Sequence, residues 1–195
     1  MALTPSRMVS LGTLAPDFSL PDVVTGKIVS LKDFQGDQVL LVMFICRHCP
    51  YVQHVKTELV RLGIIYHGKK IAIAAISAND AVKYPDDSLE KLREMAIDLD
   101  LKYPLLYDQT QEVAKAYFAT CTPDFFLFDQ NRKLVYRGQL DESRPENGKP
   151  VTGRDLKAAI DAVLAAQSVN PNQKPSMGCN IKWKTGKEPA YARVV

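Results

Sequence analysis

Two hydrophobic rhythms alternate along the chain. Residues 38–46, QVLLVMFIC, form an unbroken apolar run rich in strand formers. Its length and composition predict a central strand covered on both faces. After Pro50 the rhythm changes: Val52, Val55, Leu59 and Leu62 recur at helical spacing, with Gly63 and Gly68 as candidate stops. Residues 70–77, KIAIAAIS, predict a second buried strand. Residues 88–101 predict a helix capped by Ser88, with Leu89, Leu92, Met95, Ala96 and Leu99 on one face. A short strand is expected over 103–107 and a helix over 112–118. Residues 124–129 and 133–138 flank a turn-like Asp129-Gln130-Asn131-Arg132 and predict a hairpin. A polar loop over 141–152 leads into a last helix, 152–166, with Thr152 as its expected cap and Leu156, Ile160, Val163 and Leu164 on its apolar side. This alternation predicts an α/β fold: a central, largely parallel sheet made mixed by the hairpin and flanked by helices. Residues 1–167 are expected to form one domain. Residues 168–195 carry Pro171, Pro175 and Pro189 with little periodicity, and are expected to be an extended tail laid over the domain or partly disordered.

Composition narrows the function classes. With 195 residues, 46% of them hydrophobic, the chain can bury a core without disulfides or metals. The net charge is only +3 and the basic residues are scattered, so no nucleic-acid or anionic-membrane partner is expected. No apolar run approaches the ~20 residues of a membrane helix, and the first residues lack a signal-peptide pattern. The expected location is cytoplasmic. Four cysteines do not make a disulfide framework at this length. In a reducing compartment they are expected to be catalytic, metal-binding or buried.

Cys46-Arg47-His48-Cys49 is a C-x-x-C motif at a predicted strand-to-helix junction. The unpaired N–H groups and dipole of a helix start stabilise a thiolate there. Pro50 suits the first helical turn, where its missing N–H costs little. Arg47 and His48 can both carry positive charge. They are expected to depress the pKa of the more exposed thiol, assigned to Cys46, and to make the pair more oxidising than one with Gly-Pro between its cysteines. A zinc site would need further ligands from Cys121, Cys179, His48, His54 or His67, yet there is no second C-x-x-C and no H-x₃-H. Haem attachment would need His where Pro50 stands. No metal and no organic cofactor is therefore expected. His54 is expected to face solvent.

The segment 11–36, LGTLAPDFSLPDVVTGKIVSLKDFQG, resembles the lead-in of alkyl-hydroperoxide-reductase-type, peroxiredoxin-like proteins. FICRHCPYVQHV (44–55), CTPDFFLFD (121–129), YRGQLDESRPENGKPVTGRDL (136–156) and PSMGCNIKW (175–183) resemble thioredoxin family proteins. The resemblance implies a thioredoxin-like fold. Thr122-Pro123 matches that superfamily's cis-proline element, whose loop faces the C-x-x-C and pairs with a bound substrate strand. The resemblance also implies a buried acid below the site, for which the sequence offers no clear match. The expected reaction is dithiol–disulfide exchange. Cys46 attacks and Cys49 resolves, on a protein or small-molecule disulfide, with a thioredoxin or glutathione as reductant. The alternative is a thiol peroxidase, because Cys49-Pro50 resembles the peroxidatic cysteine and its proline. Against it, Cys46 stands where that family has Thr, and Pro123 where it has Arg. A non-enzymatic redox sensor on the same scaffold is a further alternative. Cys121 is expected to be either an auxiliary thiol or a small buried side chain. Cys179 lies in a turn-like stretch of the tail, where folding back would bring it to Cys46 and Cys49 or to Cys121.

Overall fold

A computed structural model of the protein describes residues 3–192. In chain order the main elements are β1 (Leu3–Pro5), β2 (Ser19–Pro21), β3 (Ile28–Ser30), β4 (Val39–Phe44), α1 (Pro50–Ile65), β5 (Ile71–Ser77), α2 (Leu89–Asp98) and β6 (Leu105–Tyr107). Then come α3 (Glu112–Ala116), β7 (Cys121–Thr122), β8 (Asp124–Phe128), β9 (Leu134–Gly138), α4 (Arg154–Leu164) and β10 (Met177–Asn180). Five strands make the central sheet in the order β6-β5-β4-β8-β9. β4, β5 and β6 run parallel, while β8 and β9 are antiparallel to their neighbours.

β4 shows why this sheet forms. Val39, Leu41 and Met43 point into one core cluster, and Leu40, Val42 and Phe44 into the other. A strand buried on both faces has to be apolar throughout. On the first side Val52, Val55, Leu59 and Leu62 of α1 pack with Leu156, Ile160 and Val163 of α4 and with Leu92 and Met95 of α2. Each such buried side chain contributes about 2 kcal/mol of apolar burial. The second side is closed by Phe18, Leu20, Ala114, Tyr117, Ile181 and Trp183.

The predicted elements are present, several of them shorter than their periodicity implies. The last helix has Gly153, in the left-handed region at φ 66°, at its cap position in place of Thr152. The Asp141 carboxylate anchors the turn ahead of the helix, accepting the N–H groups of Thr152 and Gly153 at 2.6 Å each. Sequence periodicity did not reveal the β2–β3 hairpin or a second, three-stranded sheet ordered β1-β10-β7. That sheet corrects the picture of the tail, which contributes its central strand. β10 lies between β1 and β7, with Leu3 opposite Cys179 on one side and Cys179 opposite Thr122 on the other. No helix among the described residues is long and apolar enough to cross a membrane.

Candidate active site

β4 ends at Phe44 and α1 begins at Pro50, so Cys46 and Cys49 occupy the junction at the carboxyl end of a central strand. Cys49 is the residue capping α1, with extended backbone. The peptide bond Thr122-Pro123 is cis and faces both sulfurs. Cys46 Sγ is 3.2 Å from Thr122 Oγ1, and Cys49 Sγ is 3.1 Å from the Thr122 carbonyl oxygen, to which the protonated thiol donates. No disulfide joins the four cysteines.

Two expectations about this pair need correction. The first is exposure. Cys46 is 1% exposed and Cys49 0%, so neither thiol is open to solvent. The second is which sulfur carries the charge. Burial pushes the Cys46 thiol well above its ordinary value, and its contacts with Cys49 and the nearby Asp87 carboxylate push it the same way. Cys49 is instead lowered to about 5. Its chief support is the hydrogen bond from Cys46, opposed by burial, with Thr122, Cys179 and the Val52 N–H adding to it. The last of these is a free N–H of the first helical turn, which an anion at the cap accepts. The pair shares one negative charge between two sulfurs, with Cys49 lowered and Cys46 raised.

Arg47 and His48, expected to favour the thiolate by their charge, are each engaged by an acidic side chain, and His48 still interacts electrostatically with Cys49. Arg47 lies 3.5 Å from Asp86. His48 Nδ1 is hydrogen-bonded to Asp87 Oδ2, and its ring stacks on Tyr84 with centroids 5.3 Å apart. Asp87 is the functional residue that sequence reasoning missed. Its carboxylate is fully buried, and it accepts the backbone N–H groups of Arg47 (2.7 Å) and His48 (3.2 Å) and the Asn79 amide (2.7 Å). Burial alone would raise its pKa, but His48, Asn79 and the Arg47 N–H together hold it below the usual value. The hydrogen bond that His48 donates to the Asp87 carboxylate raises His48 in turn. Asp87 thus fixes the C-x-x-C loop by three of its donors and supplies the buried acid that the sequence left unplaced. Cys46, His48 and Asp87 offer a sulfur, a ring nitrogen and a carboxylate oxygen all within 4.8 Å, the arrangement among the described residues that could grip a metal ion. The His48 nitrogen and the Asp87 oxygen already hydrogen-bond each other, and Cys46 Sγ lies against the Thr122 hydroxyl. A cleft of about 450 Å³ opens beside Arg47 and His48, bounded by Lys56, Asp86, Met95 and Asp98.

The cis-proline loop is fixed from below. Asp124, next to Pro123, forms a bidentate pair with Arg137 (3.0 and 3.1 Å), and both side chains are fully buried. Arg137 also lies over the Phe126 ring at 3.7 Å. Desolvation raises Asp124 even beside that guanidinium. Among the described residues no arginine hydrogen-bonds Cys46 or Cys49, because Arg137 is committed to Asp124 and Arg47 faces Asp86.

The edge expected to receive a substrate strand is already occupied. β10 pairs with β7, and Cys179 sits opposite Thr122. The fit is tight. A Cβ on Gly178 would fall 2.0 Å from the Thr122 carbonyl oxygen, so only glycine is accommodated. Cys179 therefore reaches the redox pair, and its thiol hydrogen-bonds Cys49. Cys121 is buried, with Sγ 3.7 Å from the Pro123 carbonyl, and burial raises its pKa well above the ordinary value. It packs as a small core side chain. His54 is half-buried rather than solvent-facing, and bonds Ser143 Oγ at 2.7 Å.

A mixed α/β sheet with two cysteines at a strand-to-helix junction, facing a cis-proline loop, defines a thioredoxin-like thiol–disulfide oxidoreductase. The chain belongs to the AhpC/TSA family, whose pattern matches residues 11–137. The thiol-disulfide oxidoreductase ResA of Bacillus thuringiensis subsp. konkukian is 28% identical over 149 residues, covering 73% of this chain and 78% of that protein. The crystal structure of an uncharacterized conserved protein from Geobacillus kaustophilus matches with a TM-score of 0.92 and 53% identity, over 94% of this chain and 97% of that one. A thiol-disulfide oxidoreductase from Bacteroides fragilis matches with a TM-score of 0.54 and 25% identity, over 64% of this chain and 89% of that one.

Proposed function

We propose that the protein carries out dithiol–disulfide exchange with Cys46 as the attacking sulfur and Cys49 as its resolving partner. The observation that carries this reading is the placement of the pair against the cis-proline loop, with Cys46 Sγ beside the Thr122 hydroxyl and the Cys49 thiol donating to the Thr122 carbonyl. With the proton of the pair on Cys49, the Cys46 thiolate attacks one sulfur of a substrate disulfide and expels the other as a thiolate, leaving a mixed disulfide on Cys46. Cys49 then attacks Cys46, gives its proton to the departing second substrate sulfur and leaves a Cys46–Cys49 disulfide. Thioredoxin or glutathione would return the pair to the dithiol.

The covered edge bears on the substrate. With β10 on β7, a small-molecule disulfide can reach the pair through limited motion of the loop, whereas a protein strand has to displace β10 first. Three cysteines gathered at one site, in a chain with only four, support a reducing, cytoplasmic setting.

Trapping tests the assignment. A Cys49→Ser protein should accumulate a stable mixed disulfide at Cys46. Capture at Cys49 in a Cys46→Ser/Cys179→Ser protein, with none at Cys46 in the Cys49→Ser protein, would reverse the two roles. The absence of exchange by the wild-type protein would leave only the redox-sensor alternative.

A further inference from the structure

With the β7 edge filled by β10, the way in to the redox loop lies elsewhere. The cleft of about 450 Å³ beside that loop runs between α1 and α2, and none of its lining residues belongs to β7 or β10. Its size suits a small molecule rather than a folded partner. Arg47 and His48 carry the redox loop into its wall, Lys56 comes from α1, Asp86 from the turn ahead of α2, and Asp98 from α2 itself. Met95 and Leu99 supply the apolar part.

The charges of the cleft are balanced, but only half of them are used. Arg47 lies 3.5 Å from Asp86. Among the described residues neither Lys56 nor Asp98 has an ion-pair partner. Lys56 is tied to the redox loop through Gln53, whose Oε1 accepts Lys56 Nζ at 3.1 Å and whose Nε2 donates to the Arg47 carbonyl at 2.6 Å. His48 adds an unused nitrogen. Its Nδ1 is taken by Asp87, while Nε2 is buried and has no hydrogen-bond partner among the described residues. A buried polar atom left in this way is costly, and a ligand atom bonded to it removes the cost. The same side chain connects the cleft to the sulfur, because a ring nitrogen of His48 lies within 4.8 Å of Cys46 Sγ.

We propose that this cleft binds a low-molecular-weight disulfide whose halves each carry an ammonium and a carboxylate, as in cystine. The proposal rests on the reading of Cys46 and Cys49 as a disulfide-exchange pair and names the substrate class of that site. The ligand's carboxylate pairs with Lys56 and its ammonium with Asp98, while Met95 and Leu99 take its methylene and sulfur atoms. Held by its charged end, so short a molecule keeps its S–S bond beside Arg47 and His48, where limited motion of the loop brings Cys46 to it. An uncharged disulfide fits the same space but leaves Lys56 and Asp98 unanswered. In the exchange the S–S bond of the ligand breaks and the Cys46–Cys49 bond forms. The pair gives two electrons, and the two small thiols leave with the proton of Cys49 and one from solvent.

The test mixes the reduced full chain with one of four disulfides, quenches in acid and counts the remaining protein thiols. The probes are cystine, cystamine with ammonium groups only, dithiodipropionate with carboxylates only, and hydroxyethyl disulfide with neither. Each rate is divided by that of the same disulfide with free mercaptoethanol, which removes differences in intrinsic reactivity. One exposed ion pair is worth about threefold and two about tenfold. Cystine should therefore lead each singly charged probe by about threefold and hydroxyethyl disulfide by about tenfold. In Lys56→Gln/Asp98→Asn protein the concentration of cystine giving half the maximal rate should rise, and the normalised rates of the four probes should converge. Equal normalised rates in the wild type overturn the cleft as the binding site and leave the exchange standing. A preference for cystine that survives in the double variant also overturns it, because recognition then lies outside Lys56 and Asp98. Loss of no thiols with any of the four overturns the exchange reading on which the proposal rests.

Discussion

Removing the Cys46 sulfur measures how the anion at Cys49 is held. The hydrogen bond from Cys46 is the largest support for that anion, which places Cys49 at about 5. A hydrogen bond to a charged group contributes ~1.5–3 kcal/mol, and one pKa unit corresponds to ~1.4 kcal/mol. Cys46→Ala should therefore raise Cys49 by roughly one to two units, into the range of about 6 to 7. Cys46→Ser replaces the thiol with a hydroxyl donor of similar reach and should leave Cys49 close to its wild-type value. The assay is the ultraviolet absorbance of the thiolate followed against pH, repeated as the rate of iodoacetamide alkylation. Cys121 and Cys179 do not interfere, because burial holds both above their ordinary range. At neutral pH the alanine variant should drop from nearly all thiolate toward half. If the alanine and serine proteins titrate at one midpoint, Cys46 is not the donor. If the wild type titrates near 9, the anion is not on Cys49 at all.

Other measurements follow from the same geometry. A thiolate lowered from 9.0 to about 5 stabilises the dithiol at pH 7 by roughly 3 kcal/mol. This places the Cys46–Cys49 potential about 60 mV above that of a pair with ordinary thiols. The stabilisation grows above pH 5 and vanishes below it, so the slope of potential against pH should steepen from about 30 to about 60 mV per unit as pH falls through about 5. A single slope through that region, in glutathione redox buffers, would contradict it. Asp87→Asn should destabilise the protein by roughly 3 kcal/mol in urea unfolding, because it removes a buried anion with three kinds of donor aimed at it. The raised pKa of His48 should fall in the same variant by NMR titration. The His48–Asp87 share of stability is present in full below the unfolded His value near 6.5 and fades as pH rises past the raised folded value. The loss in Asp87→Asn should therefore be larger at pH 6 than at high pH. Gly178→Ala drives a Cβ against the Thr122 carbonyl and should cost about 1–3 kcal/mol while lifting β10 from β7. The lifted strand should speed alkylation of Cys49, and an unchanged rate would show that β10 does not cover it.

Much of the central sheet was legible because its signals are local. The apolar run over β4 announces a doubly covered strand, and the four aliphatic residues of α1 recur at 3.6-residue spacing. The C-x-x-C between them was legible for the same reason, since both flanking elements can be recognised. The second sheet was not. β1, β7 and β10 are two to four residues long, and their partners lie far away in sequence, as in the pairing of Leu3 with Cys179. No periodicity builds up over so few positions. Asp87 was missed because Asp86-Asp87-Ser88 looks like an ordinary acidic helix start, and only the chain's path turns one carboxylate towards Cys46. The lowering of Cys49 leaves no local signal, because Arg47 and His48 read as free cations in the sequence, whereas Asp86 and Asp87 engage them. The Asp124–Arg137 pair did leave a signal. Two opposite charges interrupt the apolar arms of one predicted hairpin, and its register sets Arg137 opposite Phe126, two residues from Asp124.

The strand that seats Cys179 also sets the order in which the site is completed during synthesis. Ribosomes finish Cys46, Cys49 and the Thr122-Pro123 loop long before they reach Met177, so the nascent molecule presents a bare sheet edge beside two reactive sulfurs. Proteolytic clipping ahead of Met177 returns the molecule to that state. Such a shortened product should scavenge cellular thiols and disulfides faster than the chain that keeps its last strand.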